Sequence, residues 1–142
     1  MENILKINNL DVSFKVYGGN VKAVRHLSMD IHQGEVYALV GESGCGKSTI
    51  AHTILRLNDL SLTHVSAEEM KLSGIDILNI SESQMEDIRG SLVSMIFQDP
   101  ITSLNPTMKI GKQIVETLYR RKKMTAEECK AEAIRLLKLV QI

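Results

Sequence analysis

The stretch Glu35–Thr49 reads EVYALVGESGCGKST and decides the fold. Residues 35–40 form a short apolar run, residues 41–46 are rich in glycine, and residues 50–57 favour a helix. A strand, a glycine-rich turn and a helix in this order are the context that the pattern GxxxxGK[S/T] requires. The sequence therefore predicts a phosphate-binding loop between a strand at 35–40 and a helix that begins near Lys47.

The residue types in this loop are those that bind a polyphosphate. Gly41, Gly44 and Gly46 allow positive φ and a close approach of the backbone, so that successive amides can point at an anion. The positive end of the helix dipole adds to this attraction. A glycine-rich turn that binds nothing is the alternative, and the flanking strand and helix argue against it. We expect the ligand contacts to come from Gly41, Ser43, Gly44, Cys45, Gly46, Lys47, Ser48 and Thr49.

Several side chains of this stretch have individual roles in the predicted site. Lys47 offers a mobile positive charge for the β- and γ-phosphates. The Ser48 hydroxyl is a hard oxygen ligand of the kind that Mg²⁺ binds, and Thr49 can reach the α-phosphate. Cys45 lies beside Lys47 at a helix N-terminus, so we expect a reactive thiol that the bound phosphate ligand protects, whereas Cys129 should react slowly.

Composition limits the classes of protein to which the chain can belong. It has 142 residues, of which 44% are hydrophobic and 24% charged, enough for one domain with a core. Seventeen basic and seventeen acidic residues give zero net charge, which argues against binding of nucleic acid by phosphate neutralisation. Without an apolar run of membrane-spanning length or a secretory signal, we expect a cytoplasmic protein with reduced cysteines.

The residues around the loop predict the remaining elements. Apolar alternation and turn residues indicate antiparallel strands before the loop, at 4–14, 21–24 and 27–31. After the loop's helix we expect a loop at 58–66 and a short strand at 70–72.

The second half of the chain predicts helices around one buried strand. Capping boxes at Ser81–Gln84 and Thr125–Glu128 indicate two helix starts, and a third helix is expected at 109–119. Residues 92–97 are apolar and bounded by polar residues, which predicts a buried strand of a parallel sheet. The helix after Thr125 should bury one face, formed by Cys129, Ala133, Leu137 and Val140.

Residues 95–106 read MIFQDPITSLNP, and this second motif resembles the Q-loop of ABC transporter ATPases. The stretch GESGCGKST is typical of the same family. The extension QDPITSLNP, the segment GIDIL at 74–78 and the segment IRG at 88–90 are similar to those of dipeptide, oligopeptide and nickel importer ATPases. The resemblance covers Leu5 to Ile142, and the motifs together are highly specific.

The resemblance implies a fold and a division of the chain. The fold is expected to be α/β, with a partial P-loop NTPase core, an antiparallel β-subdomain and the start of an α-helical subdomain. We expect a single domain over 1–142. Its parts would be the β-subdomain at 1–34, the core from the Walker A loop to the Q-loop at 35–98, and the helical start at 99–142.

The resemblance also implies roles for residues outside the loop. Gln98 is expected to contact Mg²⁺ and the attacking water, and Gln98 and Lys47 are the candidate catalytic residues. An ordinary glutamine at the end of a strand is the alternative. An aromatic ring is expected against the adenine, with Tyr17 as the first candidate and Phe14 as the second. A turn tyrosine without a ligand is the alternative for Tyr17.

Family features that should follow Gln98 are absent from the sequence. The signature LSGGQ and a Walker B strand ending in Asp-Glu do not occur, and all the histidines lie earlier, at His26, His32, His52 and His64. The chain therefore resembles the N-terminal part of an ATP-binding subunit, able to bind nucleotide but poor at hydrolysing it. We expect the strand at 35–40 to lack a parallel neighbour on one side, which would expose Val36, Ala38 and Val40.

The function implied by the resemblance is that of an ATP-binding subunit of an ABC importer, peripheral on the inner face of the cell membrane. It would use ATP and Mg²⁺ to energise uptake of peptides or a similar small solute. Its partners would be transmembrane permease subunits, contacted through the region after Gln98, and a second ATP-binding subunit, but no nucleic acid.

Three alternatives to this function remain. The first is a non-catalytic nucleotide-binding or docking fragment, and the second is a soluble ABC protein of translation or DNA repair. The QDPITSLNP stretch and the neutral net charge argue against the second. A GTPase is the third, and it is disfavoured because the DIRG at 87–90 falls on a predicted helix and no NKxD motif follows.

Overall fold

The computed structural model describes residues 2–99, 103–122 and 124–142. The chain divides into two compact units, Met1–Ser94 and Met95–Ile142. The first unit holds a sheet, the glycine-rich loop and two short helices, and the second holds two longer helices.

A long antiparallel hairpin is the main feature of the first unit. β1 (Asn3–Val16) pairs with β2 (Gly19–His32) across the two-residue turn Tyr17-Gly18. Register shifts interrupt the pairing, and Asn9 and His26 take left-handed conformations with φ of 52° and 48°. Because bulges bend a strand without ending it, the two short strands predicted in the second half of the hairpin form one continuous strand.

On its other side, β1 is long enough to pair with two different strands. Its second half pairs with β3 (Thr63–Ser66) and its first half with β4 (Glu69–Leu72), while β5 (Ile75–Asp76) pairs with β4. The sheet order is therefore β2-β1-β4-β5, with β3 beside β1. The prediction of a loop at 58–66 was wrong for β3, because alternate residues of this polar-looking segment are partly buried and Val65 packs against the core.

Two short helices complete the first unit. α1 (Lys47–Ile54) begins directly after Gly46 and is shorter than the helix predicted from the sequence. α2 (Glu82–Ile88) begins at the predicted capping box, in which the side chains of Ser81 and Gln84 each accept the other's backbone amide. The buried core between the helices and the sheet consists of Leu5, Ile7, Leu10, Val12, Val24, Met29, Ile50, Met70, Leu72, Ile77, Met85 and Ile88.

The apolar run before the glycine-rich loop is not a strand. Residues 35–40 have no ladder partner on either side in the part of the chain that the structure describes. The predicted strand was therefore wrong, because an apolar run becomes a strand only when other strands flank it. The predicted exposure is confirmed, since Val36 is 96% exposed, Val40 is 92% exposed and Ala38 is also exposed.

The apolar run at 92–97 was also predicted as a buried strand, and that prediction was wrong too. This region contributes one isolated parallel bridge, between Arg89 and Val93, among the residues described. Ile96 is 94% exposed, so the run does not contribute a buried strand to the core of either unit. The physical reason is the same: no described strand lies beside it to complete a ladder.

The second unit is a helical hairpin. α3 (Ile110–Lys122) packs against α4 (Ala126–Leu139), which begins at the predicted capping box Thr125–Glu128. Val140 was predicted on the buried face but is 62% exposed, because α4 ends one residue before it. The other members of that face are partly or fully buried, and the buried cluster of this unit is Leu118, Cys129 and Ala133.

Candidate functional site

The glycine-rich loop, residues 41–46, surrounds the ammonium group of the lysine that follows it. Lys47 Nζ donates to the carbonyl oxygen of Gly41 at 2.7 Å and to that of Glu42 at 2.6 Å. It also lies 3.2 Å from the sulfur of Cys45. The charge is therefore held within the loop by neutral acceptors, against which an anionic phosphate oxygen competes well.

The three glycines of the loop are required for two different reasons. Gly44 and Gly46 have φ of 84° and 94°, so the predicted left-handed conformations are confirmed there. Gly41 is not left-handed, and the prediction was wrong for this residue. A Cβ at Gly41 would instead lie 2.8 Å from Cys45 Sγ, so the missing side chain makes room for the thiol.

Gly46 also fixes the loop to the sheet. A Cβ at this position would lie 2.6 Å from the carbonyl oxygen of Ala23 and 3.6 Å from a methyl carbon of Val24, both in β2. The Gly46 carbonyl accepts a hydrogen bond from the Ile50 amide at 3.0 Å, which is the first bond of α1. The hairpin thus positions the start of the helix directly.

The first turn of α1 presents free backbone donors. The amides of Lys47, Ser48 and Thr49 precede the first intrahelical bond, and within the ranges described they donate to no other group. The turn contains no acidic residue and no side chain caps it. Unpaired amides at the positive end of a helix dipole attract anions, and the exposed Ser48 hydroxyl lies in the same turn.

Glu35 anchors the chain where it leaves the sheet and enters the site. Its Oε2 accepts from the backbone amide of His32 at 2.7 Å and lies 3.2 Å from His32 Nδ1. Two hydrogen bonds hold the pKa of Glu35 below its usual value. The bond from the His32 amide has the larger effect and the bond from the His32 ring the smaller. This contact ties the start of the unpaired segment to the end of β2.

The two candidates for adenine stacking lie in different environments. Tyr17 lies at the tip of the β1–β2 hairpin and is fully exposed. Phe14 is paired with Val21 and Thr63, and its ring packs against the core. An exposed ring has a face available to a base, so the environment favours Tyr17 over Phe14. Stacking itself remains a prediction.

Gln98 lies in the second unit and is exposed, and its catalytic role stays a prediction. Residues 100–102 of the same motif lie outside the described residues. Asn105 is the penultimate residue of the motif. Its amide donates to Gln113 Oε1 and its carbonyl accepts from Gln113 Nε2, both at 3.0 Å. Asn105 Oδ1 also accepts from the Thr107 amide at 3.0 Å. Asn105 therefore organises the start of α3, the helix that the sequence predicts at 109–119.

The loop has no preformed metal cage. In the described ranges, no three His, Cys, Asp or Glu side chains lie close enough together to hold a metal ion. An Mg²⁺ ion at Ser48 would take its other ligands from phosphates and water, as Mg²⁺ commonly does with nucleotides. The helices that the structure describes also include none that is long and apolar enough to cross a bilayer.

Comparison with known families shows where this loop belongs. The sequence profile of the ABC transporter family matches residues 24–142, which include the glycine-rich loop and the described helices α1 to α4. The chain belongs to the ABC transporter family. The resemblance inferred from the ABC transporter motifs around Lys47 and Gln98 is therefore confirmed.

Curated relatives of this ABC transporter chain are longer than the chain itself. The oligopeptide transport ATP-binding protein OppD of Bacillus subtilis is 44% identical over 139 residues, which are 98% of this chain and 39% of the relative. The dipeptide transport ATP-binding protein DppD of the same organism is 44% identical over 142 residues, 100% of this chain and 42% of the relative. The chain thus spans about two fifths of the length of these relatives.

A third relative and two solved structures extend the comparison. The glutathione import ATP-binding protein GsiA of Salmonella choleraesuis is 39% identical over 145 residues, 99% of this chain and 23% of that protein. The dimeric ATP-binding cassette MJ0796 bound to ADP and Pi superposes with a TM-score of 0.75 at 21% identity, covering 97% of this chain and 57% of that one. A second dimeric structure of this bacterial ABC transporter cassette gives 0.73 with the same coverage. The predicted ABC ATPase fold is confirmed.

Proposed function

We propose that the chain is the ATP-binding part of an ABC importer subunit, which couples ATP binding and hydrolysis to uptake of peptides or a similar small solute. The names of the relatives, which specify oligopeptide, dipeptide and glutathione transport, support this substrate class. The part of that activity that we assign to this 142-residue chain is the binding of the nucleotide.

The observation that carries the proposal is the position of the Lys47 ammonium beside the free amides of α1. A polyphosphate fits this arrangement, because its oxygens meet one positive charge and the three unpaired N–H groups of residues 47–49. In the proposed complex, Lys47 exchanges the carbonyl oxygens of Gly41 and Glu42 for the β- and γ-phosphates. Gly41, Ser43, Gly44, Cys45 and Gly46 would line the same phosphates.

We assign the metal side of the site to Ser48 and Gln98. The Ser48 hydroxyl is exposed in the first turn of α1, next to the amides that would hold the phosphates. Mg²⁺, when bound with ATP, neutralises charge on the phosphates during phosphoryl transfer. Gln98 would contact the ion and orient the water, and Thr49 would contact the α-phosphate.

The adenine would stack on Tyr17. The fully exposed ring at the hairpin tip supports this choice, since stacking needs a free ring face. Phe14 is the less favoured candidate because it packs against the core.

The proposed partners are transmembrane permease subunits and a second ATP-binding subunit. The dimeric ATP-binding cassettes with the same fold support the second partner. The permease would be contacted through the region after Gln98. The subunit would lie in the cytoplasm, peripheral to the inner face of the membrane, and we assign it no nucleic-acid partner.

A second candidate is a non-catalytic nucleotide-binding or docking fragment. The feature that this candidate shares with the first is the glycine-rich loop with Lys47 and the free amides of α1, which supplies a nucleotide site by itself. In this candidate the site would bind ATP without hydrolysing it efficiently, because phosphoryl transfer also needs a group that orients the attacking water. Both candidates bind ATP at the glycine-rich loop, and they differ in whether the bound ATP is hydrolysed.

Calorimetric titration of the 142-residue chain with Mg-ATP tests the shared part of both candidates. Lys47→Ala removes a charge-assisted contact of roughly 1.5–3 kcal/mol and should weaken ATP affinity about tenfold or more. Lys22→Ala is the matched control, because it removes the same charge from an exposed position in β2. Equal affinity of the wild type and Lys47→Ala would overturn the nucleotide site.

Release of phosphate from ATP separates the two candidates. A catalytic subunit should release phosphate at a rate that Gln98→Ala lowers, whereas a non-catalytic fragment should bind ATP without turnover. Uptake of a labelled peptide by cells that carry the protein tests the transport assignment, since a Lys47→Ala allele should abolish uptake. Unchanged uptake would exclude a role for this subunit in peptide import.

A further inference from the structure

The C-terminal end of α1 carries an arginine at a position that glycine usually takes. The Arg56 amide donates to the Thr53 carbonyl at 3.0 Å, and the Leu57 amide donates to the His52 carbonyl at 2.8 Å. This pair of bonds is the Schellman motif, whose penultimate residue is left-handed. Arg56 has a φ of 51°, which strains a residue that has a Cβ. A strained backbone that persists is a reason to look for a role of the side chain.

The Arg56 side chain reaches the start of α2. Its Nη1 donates to the carbonyl oxygen of Ile80 at 2.8 Å, and its Nη2 lies 3.7 Å from Glu82 Oε2. The side chain is 19% exposed, so much of it is shielded from water. The Glu82 side chain is 53% exposed, so only the arginine side of this ion pair is shielded.

Arg89 also binds the C-terminal end of α1, through two carbonyl groups. Its Nε donates to the Leu55 carbonyl at 2.7 Å and its Nη2 donates to the Arg56 carbonyl at 3.0 Å. Carbonyls at a helix C-terminus have no partner within the helix and attract cations. The Nη1 of Arg89 donates to Glu82 Oε1 at 2.5 Å. One planar guanidinium thus makes three directed bonds, which a lysine cannot reproduce.

Arg56, Glu82 and Arg89 form a unit that we call the latch. Glu82 is the first residue of α2 and Arg89 is its C-cap, so the latch fastens the end of α1 to both ends of α2. The opposite end of α1 carries the free amides of Lys47, Ser48 and Thr49. At 1.5 Å per residue, an α1 of this length spans only about 12 Å. A displacement of its C-terminal end therefore moves the amides at its N-terminal end.

We propose that Arg89 is a positioning residue for the phosphate loop, which acts through the latch by holding α1 at the orientation in which its N-terminal amides and Lys47 converge on phosphate. This inference rests on the proposed nucleotide site and adds a determinant that does not touch the nucleotide. Glu82 orients Arg89, and the side-chain bonds of Arg56 offset the strain of its backbone.

An ion pair of the same chemistry elsewhere in the chain has a different geometry. Arg135 and Glu132 form a bidentate pair with distances of 2.7 and 2.9 Å. Both residues belong to α4, and Arg135 is 61% exposed. This pair joins two positions of one helix and cannot hold two elements together, so it serves as the matched control.

The test measures affinity for ATP and for inorganic tripolyphosphate in the 142-residue chain, at a temperature where each variant is folded by circular dichroism. Arg89→Gln and Glu82→Gln should each weaken both affinities by roughly three- to tenfold. Arg89→Lys should recover only part of the lost affinity, because an ammonium group cannot make the three directed hydrogen bonds of the planar guanidinium. The Arg135→Gln variant should bind ATP and tripolyphosphate with the affinities of the wild type. Since Arg89 and Glu82 share a bond, the double variant should lose less than the product of the two single losses.

The outcomes separate this inference from the function on which it rests. If Arg89→Gln has a lower unfolding midpoint but unchanged affinities for both ligands, the latch is merely structural and the inference is overturned. If Lys47→Ala loses affinity while Arg89→Gln does not, the nucleotide site stands without the latch. Failure of the wild type to bind either ligand would overturn both. As a second readout, faster hydrogen exchange of the Leu55–Leu57 amides in Arg89→Gln would support release of the α1 end, and unchanged exchange would contradict it.

Discussion

Gly46 packs so closely against Ala23 that a Cβ on the glycine would lie 2.6 Å from the alanine carbonyl oxygen. Gly46→Ala should therefore move either the loop or β2, and it also places a side chain at a φ of 94°. We expect a loss of roughly 1–3 kcal/mol in the free energy of unfolding, measured by urea denaturation.

Two other glycines separate the contributions to that loss. Gly44→Ala imposes the same backbone strain, with a φ of 84°, but no atom outside its immediate neighbours lies within 4 Å of the new Cβ. It should cost less than Gly46→Ala. Gly111→Ala in α3 imposes neither effect and should stabilise the chain by about 0.5–1 kcal/mol. If Gly46→Ala and Gly44→Ala cost the same, the contact with Ala23 is not a constraint.

The two cysteines should differ sharply in their rates of alkylation. Cys45 is exposed and its sulfur lies 3.2 Å from the Lys47 ammonium, whereas Cys129 is fully buried between α3 and α4. Mass spectrometry after iodoacetamide treatment should show rapid labelling of Cys45, which Mg-ATP suppresses. Labelling of Cys45 at the same rate with and without Mg-ATP would place the nucleotide elsewhere.

The exposed segment 35–40 should promote association of the chain. Its backbone has no ladder partner in the described structure, so the segment can form hydrogen bonds with a strand of another chain. Val36 projects fully into solvent, and burial of this apolar side chain would favour such pairing. Val36→Lys should lower the fraction of oligomer seen by size-exclusion chromatography with light scattering. Val16→Lys is the control, because Val16 is also exposed but its strand is already paired. An equal effect of both variants would point to added charge as the cause.

Glu69 should make the sheet sensitive to acid. Its carboxylate lies 2.6 Å from the Lys6 ammonium and 2.8 Å from that of Lys71, and hydrogen bonds from Lys6 and then Lys71 lower the pKa of Glu69 from 4.5 to about 2. Because the pKa is lower in the folded state, the carboxylate stabilises the fold fully above pH 4.5. This contribution is lost as the pH falls from 4.5 toward 2.

Urea denaturation across that range of pH measures the effect. Glu69→Gln should lower stability at neutral pH and flatten the decline in acid. Glu86→Gln, at an exposed position of α2, should keep the slope of the wild type. A slope that Glu69→Gln leaves unchanged would show that other carboxylates cause the acid sensitivity.

The elements that the sequence predicted well are those determined by local contacts. The capping boxes at Ser81 and Thr125 place two helix starts correctly, since each box involves only four consecutive residues. The glycine-rich loop could be recognised as a candidate site because its glycines and Lys47 lie within a few consecutive residues of one pattern. The antiparallel hairpin was also predictable, although its bulges hid the continuity of β2.

The elements that the sequence predicted poorly depend on distant partners. Residues 35–40 and 92–97 have the composition of buried strands, but composition does not reveal whether strands exist to flank them. Arg56 and Arg89 were not identified as a pair, because their common partner Glu82 is brought to them only by the fold. A left-handed arginine at a helix end cannot be recognised without the backbone angles.

The division of β1 between two partners has a consequence for the order of folding. Its pairing with β2 closes across the two-residue turn, whereas β3 and β4 follow only after the glycine-rich loop and α1. A ribosome adds about 5–20 residues per second and a hairpin forms within about 1–10 μs, so the β1–β2 hairpin can open and close many times before its other partners are synthesised. A two-stranded hairpin is only marginally stable alone. We expect the arrival of β3 and β4, rather than the turn, to set the moment at which the nascent chain commits to its sheet.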